Sequence, residues 1–394
     1  MVSKNGKGRM TRREFAAASA AGLTLGSRLA AGRPAQAAAG AGPEKPTASD
    51  PARVIIDTDP GVDDALALLL AMRSPELKIE GITPVAGNVP LDLTLSNALR
   101  MVEIAGRKDI PVAAGLPAPL LRRLVTAEYA HGENGLDGAV FPEPTLRPIA
   151  ERAPEFIRRV VRAHPGEVTL LTIGPLSNVA AALRSDPELA KMVRGITMMG
   201  GSLSGGNVTP AAEFNVYVDP EAARIVFQSG IPITMVGLDV TRKTMVSEEH
   251  VRTLEAHSNP VSQAAAKIAR HLLEHARKEG FIAGPNMHDP LAVSSFLDPS
   301  LVKLEKFYVD VETFGEMTAG ETLGYSPVWG HLRRRPSMEH VDMTFPLRGS
   351  SPSLARLTTS PVVRDHWIPN ANVAVDVDTS GFYKLLIGRL AGTA

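Results

Sequence analysis

Between Arg53 and Ala65 the chain reads R-V-I-I-D-T-D-P-G-V-D-D-A, which gathers Asp57, Asp59, Asp63 and Asp64 around a Pro-Gly turn. Carboxylates this close push one another's pKa above the unperturbed ~3.9 unless a positive charge compensates. A hard divalent cation, which takes oxygen ligands, is the natural compensator. Asp63 and Asp64 have a second explanation. They stand where a helix would begin, and free N–H groups and the helix dipole favour acidic side chains there. Asp57 and Asp59 have no such explanation. The stretch is not an EF-hand loop, which needs Gly at its sixth position and Glu at its twelfth; this chain has Val62 and Leu68 there.

Two later stretches carry further chemistry. N-M-H-D-P-L-A, at 286–292, sets His288 beside Asp289 ahead of a helical run. A lone His-Asp pair is usually structural. With four aspartates upstream and only ten histidines in the chain, this one is read as part of the same site. Gly205 to Pro220 (G-G-N-V-T-P-A-A-E-F-N-V-Y-V-D-P) offers Asn207, Glu213 and Asn215 in a Gly-rich loop that runs into a helix. As isolated loop residues they would be solvated turn formers. Together their donors and acceptors suit a polyol, whose hydroxyls both give and take.

These groups need elements to position them. Apolar runs at 54–56, 77–84, 168–172, 196–199, 231–236 and 372–378 read as strands, and 65–72, 91–105, 176–183, 220–229 and 381–390 as helices. The alternation predicts an α/β fold: an open, mainly parallel sheet with helices on both faces and a Rossmann-like core. Ligands of such sheets collect outside the carboxyl ends of the strands. There the sequence places D-T-D-P-G-V-D-D, A-G-N-V at 86–89, T-I-G-P-L-S-N at 172–178 and M-G-G at 199–201. Their convergence is a stronger argument than any one of them.

Composition narrows the classes. The 42 basic and 42 acidic side chains cancel, so no general attraction to nucleic acid or anionic membrane is implied. There is no cysteine, which excludes thiol catalysis and thiolate metal sites and leaves oxygen or imidazole ligands. Residues 1–37 combine a basic start, the twin arginines of T-R-R-E-F, a weakly apolar run and A-Q-A at 35–37. That is the order of a twin-arginine export signal, and the apolar run is too short to span a bilayer. The expectation is a periplasmic or secreted protein with no membrane partner once the signal is removed. Residues 38–51 read as a flexible linker. Residues 323–370, rich in Pro, Ser and Arg, read as an insertion with a surface role; long insertions are well tolerated.

D-T-D-P-G-V-D-D-A, G-P-L-S-N, M-G-G, A-E-F-N-V-Y-V-D-P-E-A-A and M-H-D-P-L-A, in this order, resemble the nucleoside hydrolase family, the inosine–uridine-preferring N-ribohydrolases. The resemblance runs from about Arg53 to Leu390 and implies a hydrolase domain at 52–394. It implies that Asp59, Asp64, Asp289 and the backbone carbonyl of Ile173 hold Ca2+. Asp63, Asn88, Asn207, Glu213 and Asn215 would bind ribose hydroxyls, with Met199 near the sugar. His288, and less directly His131 in H-G-E-N-G-L-D-G, would face the leaving base. The implied reaction is hydrolysis of a ribonucleoside to ribose and free base, with Asp59 taking the proton of a calcium-bound water. A homodimer or homotetramer is the implied assembly. Two other readings stay open: a calcium-dependent nucleoside- or ribose-binding protein without catalysis, and a Mg2+-dependent phosphohydrolase whose D-x-D follows its first strand. The second leaves Asn207, Glu213 and Asn215 without a task.

Overall fold

The computed structural model describes residues 45–136, 138–278, 284–326 and 368–393. The expected export signal lies outside them, as do Trp329, His331, His340, His366 and Trp367 of the expected insertion.

The chain alternates as its hydrophobic runs predict. In order come β1 (Ala52–Thr58), α1 (Val62–Met72), β2 (Leu77–Pro84), α2 (Leu91–Ile104), α3 (Glu128–His131), α4 (Ala153–Ala163), β3 (Val168–Thr172), α5 (Ser177–Ser185) and β4 (Gly195–Met199). Then follow α6 (Phe214–Val218), α7 (Pro220–Phe227), β5 (Ile233–Val236), α8 (Leu238–Thr241), α9 (Glu248–Glu255), α10 (Pro260–Lys278) and α11 (His288–Leu297). The chain closes with β6 (Val302–Val311), β7 (Thr322–Tyr325), β8 (Ala371–Val377) and α12 (Thr379–Ala391).

The strands form one sheet in the order β2-β1-β3-β4-β5-β8-β6-β7. The run from β2 to β8 is parallel, and β6 and β7 add an antiparallel edge. Strand β1 shows why helices cover both faces. Successive side chains point to opposite faces, so Val54 and Ile56 join the apolar layer built with α1, α10 and α11, while Ile55 joins the layer built with α4, α5 and α7. Every residue of α1 is buried, including its two aspartates. This helix is therefore held from all sides, and its first turn is a rigid platform.

Two features differ from the sequence expectation. The stretch at 302–311 is a strand that the mixed polar pattern V-K-L-E-K-F-Y-V-D-V conceals; as part of the antiparallel edge it is largely half-exposed. Leu323 to Tyr325, at the start of the expected insertion, belong to β7, and Asn370, at its end, donates from Nδ2 to Phe227 O and Val309 O at 2.9 Å each. Both flanks of the 323–370 segment are thus integral to the sheet. Within the expected linker, Thr47 and Asp50 close a small turn, and Lys45 Nζ pairs with Asp298 at 2.5 Å.

Candidate active site

The site forms where the loops after β1, β2, β3 and β4 meet the first turn of α11. Asp57, the last strand residue but one, points away from the cavity. Its Oδ2 accepts from Thr83 Oγ1 at 2.5 Å and from Asn178 Nδ2 at 2.9 Å, while its carbonyl accepts from Ile173 N at 2.7 Å. Burial pushes its carboxyl up to about 7, against the pull of those two donors. Asp57 ties β1 to β2 and α5, and so fixes the turn that carries Asp59.

Asp59 is fully buried. Its Oδ2 accepts from Asn88 N at 2.7 Å, and its Oδ1 is enclosed with no partner. Gly87 and Gly174 make room for it: a Cβ at either position would fall on its carboxylate. Asp64 closes the turn upon itself. Its Oδ1 accepts from Thr58 Oγ1 at 2.6 Å and Asp59 N at 3.1 Å, and its Oδ2 from Gly61 N at 3.0 Å and Asn88 Nδ2 at 2.9 Å. Asp289 enters from the first turn of α11. One oxygen from each of Asp63, Asp64 and Asp289 lies within 4.8 Å of the others, and all three residues are buried. Burial and then the neighbouring charges of Asp64 and Asp63 hold the Asp59 carboxyl well above the ordinary range. Burial followed by Asp63, Asp64 and Asp59 does the same to Asp289, and burial followed by Asp63 raises Asp64. A folded chain that concentrates carboxylates this way fits a hard cation, because the clustered donors of Asp63, Asp64 and Asp289 are carboxylate oxygens.

A cavity opens above the cluster. Asp63, Asn88, Ile173, Met199, Asn207, Glu213, Asn215, His131, His288 and Asp289 all line it, so the structure brings these sequence-predicted residues to one place. Asn215 Nδ2 donates to Ile173 O at 3.2 Å and Met199 O at 3.3 Å, which locks the ends of β3 and β4 together. Glu213 caps α6, accepting from Asn215 N at 2.9 Å, Val216 N at 3.1 Å and Gly201 N at 2.9 Å. Burial raises its pKa, and these N–H groups oppose the rise. Asn207 Oδ1 accepts from Phe214 N at 3.0 Å.

The two histidines are held differently. His131 ends α3, and its Nδ1 accepts from Val62 N at 3.2 Å, which leaves the ring proton on Nε2. His288 Nδ1 meets Thr241 Oγ1 at 2.7 Å. Burial lowers its pKa, and the charge of Asp63 opposes this.

The sequence profile described as "Inosine-uridine preferring nucleoside hydrolase" matches residues 54–384. The chain belongs to that family. It is a nucleoside hydrolase, an N-glycosidase of the ribonucleoside hydrolase class. It is 44% identical over 340 residues to the "Pyrimidine-specific ribonucleoside hydrolase RihA" of Citrobacter koseri, covering 86% of this chain and 97% of that protein. The protein of the same description from Salmonella typhimurium is 42% identical over 339 residues, with 86% and 97% covered. Among solved structures it is similar to "Plant nucleoside hydrolase - PpNRh1 enzyme", with a TM-score of 0.73 and 33% identity over 86% of this chain and 99% of that one. The purine-preferring ribonucleoside hydrolase from Gardnerella vaginalis gives a TM-score of 0.73 at 28% identity, with 86% and 98% covered.

Several residues of this nucleoside hydrolase's site escape the sequence reading. Tyr129 lines the cavity two residues before His131, and Asn286 lines it two residues before His288. Asn286 lies inside the N-M-H-D-P-L-A motif and Tyr129 just before H-G-E-N-G-L-D-G, and proximity to those histidines is the available signal. Thr241 and Thr83 act through single hydrogen bonds between distant segments, for which sequence carries no mark.

Proposed function

We propose that this nucleoside hydrolase cleaves pyrimidine ribonucleosides to ribose and free base, with Ca2+ held by its buried aspartates. The observation that carries this is the set of buried carboxylates, among them Asp59 with an enclosed oxygen that meets no donor, opening on a cavity walled by amides and two imidazoles. The pyrimidine preference is supported by the RihA relatives, which match across nearly their whole length. Ca2+ on Asp59, Asp64, Asp289 and the Ile173 carbonyl would neutralise the cluster, acidify a nearby water and grip ribose hydroxyls.

The chain's own residues do the rest. Asp59 accepts the proton of the attacking water as general base. Asp63, Asn88, Asn207, Glu213 and Asn215 hold the sugar hydroxyls, and Met199 packs beside the ring. The anionic wall favours the positive charge that develops on the ribosyl ring as the glycosidic bond breaks. Thr241 holds His288 through Nδ1, which leaves Nε2 for the departing base. A lowered pKa makes the imidazolium, once formed, a stronger acid toward that base. His131 offers its Nε2–H at the same wall.

Incubating the purified protein with Ca2+ and uridine, cytidine, inosine or adenosine, and scoring free ribose, tests the reading. Fastest release is expected from uridine or cytidine. Nucleoside binding by calorimetry with no ribose released would leave a binding protein instead. Thr241→Val should lower kcat on uridine roughly fivefold at nearly constant KM, the scale of one hydrogen bond of ~1 kcal/mol. The same variant should keep its rate on p-nitrophenyl ribofuranoside, whose leaving group departs without a proton. An equal fall on both substrates would remove His288 from the acid role.

Export by the twin-arginine route and assembly as a homodimer or homotetramer complete the proposal. Finding the cleaved chain in the periplasm or medium, beginning near residue 38, supports the first. A monomer by light scattering would refute the second.

A further inference from the structure

Asn286 stands beside the catalytic machinery with no task in it. Its backbone is fixed, since it bridges Met245 in antiparallel fashion. On either side Val246 N donates to Pro285 O at 2.9 Å and Met287 N to Thr244 O at 2.7 Å. Its side chain is another matter. It lines the cavity together with Tyr129, His131 and His288. Its Oδ1 is enclosed and meets no donor, and no described residue holds its Nδ2. Buried polar atoms are normally hydrogen-bonded, and an orphan marks a partner still to come.

The position is informative as well as the vacancy in its bonding. The ribose-directed groups, Asp63, Asn88, Glu213 and Asn215, come from the loops that follow the strands and from the helices α1 and α6. Asn286 comes with the histidines that face the leaving base, from the segment that delivers His288. A carboxamide here is presented to the base and not to the sugar.

We propose that Asn286 is a specificity-determining residue that reads the N3 and C4 edge of a pyrimidine base. The inference rests on the pyrimidine reading above. Uracil presents N3–H as donor and O4 as acceptor, which Oδ1 and Nδ2 of a carboxamide complement. Cytosine presents N3 as acceptor and N4–H2 as donor, which the same carboxamide complements after a half-turn of its terminal torsion. The half-turn breaks no bond, because neither amide atom is engaged in the free protein. One residue thereby accepts both pyrimidines, and the clamped backbone keeps it in register for either.

Asn286→Asp and Asn286→Leu test this against the parent enzyme. A carboxylate only accepts, so Asn286→Asp keeps one partner on either base, uracil N3–H or cytosine N4–H2, and faces uracil O4 or cytosine N3 with no proton to give. The kcat/KM for uridine and that for cytidine should each fall at least about tenfold, since a site that leaves a polar group unpaired discriminates strongly. Asn286→Leu should lower both by about tenfold, mainly through KM. Hydrolysis of p-nitrophenyl ribofuranoside, whose leaving group has no such edge, should stay within about twofold in both variants. An unchanged kcat/KM for uridine or cytidine in either variant, or a parallel loss on the nitrophenyl riboside, overturns the assignment while leaving the pyrimidine reading intact. A parent enzyme that cleaves inosine but neither pyrimidine nucleoside overturns both.

Discussion

Replacing Asp59 by Asn is expected to lower uridine turnover by about 1000-fold or more, within the range a general base supplies, while the protein stays folded. The substitution is nearly isosteric, and the amide oxygen still accepts from Asn88 N, now held at 2.7 Å. It removes one charge from a group of mutually repelling buried carboxylates, so no folding penalty follows from electrostatics. Asp59→Ala is the harsher variant. It strands the Asn88 N–H in a buried place, which costs about 1–3 kcal/mol. The assay is steady-state ribose release at saturating Ca2+, because a weaker cation site is expected when a ligand loses its charge. Circular dichroism and a melting curve accompany it. A folded Asp59→Asn protein with full activity would refute Asp59 as the base, whatever became of the cation.

Much of this site is legible in the sequence. The strand-end positions of D-T-D-P-G-V-D-D, G-P-L-S-N and M-G-G follow from hydrophobic alternation alone, because a parallel sheet sends its loops to one rim. Asp57 and Asp59 alike lack a capping explanation and each has an enclosed oxygen without a partner, but only the Asp59 carboxylate has Gly87 and Gly174 cleared around it. Asp57 sat in the same acidic run, yet it is a strut among β1, β2 and α5. Only the pleat, with Thr83 and Asn178 on the far side, decides that direction. The reading also left open whether Asp63 and Asp64 were mere helix caps. Asp64 does bond Gly61 N in the turn, and it also stands in the cluster with Asp63 and Asp289. Glu213, expected to meet sugar hydroxyls, lines the cavity and also caps α6. The strand β6 does not stand out in the sequence because, in the antiparallel part of the sheet and with most of its residues partly or fully exposed, it lacks the continuous apolar run that marks buried parallel strands. Thr241 carries no mark in the sequence for a different reason: its importance lies in what it bonds across the fold, whereas Asn286 is pointed to only by its place beside His288.

Calcium removal should do more than stop catalysis; it should make stability fall as pH rises. With no cation present, burial and mutual repulsion raise the folded-state pKa of Asp59, Asp64 and Asp289, and burial raises Asp57 to about 7. In the unfolded chain these groups titrate near ~3.9. A carboxyl with a raised folded pKa holds a proton in the native state that the unfolded state has already released. The stability it contributes is fully present below the unfolded pKa and is lost as pH rises through the folded pKa. For Asp57 that window runs from ~3.9 to about 7, and the other three titrate upward from the same lower bound. The chelated protein should therefore melt at a lower temperature at pH 8 than at pH 5.5. Ca2+ reverses the trend, because it binds the ionised carboxylates and displaces their protons. At a hundred times its dissociation constant a ligand stabilises by about 2.7 kcal/mol, a rise of roughly 3 °C in a chain of this size. The rise should be larger at pH 8 than at pH 5.5, where protons compete for the same oxygens. Asp289→Asn should shrink the response at both pH values, and Mg2+, which demands tighter octahedral geometry and sheds water reluctantly, should give a smaller shift than Ca2+. A melting temperature indifferent to chelation, or a calcium shift equal at the two pH values, would show that these carboxylates are not the cation's ligands and that their raised pKa values serve the fold alone.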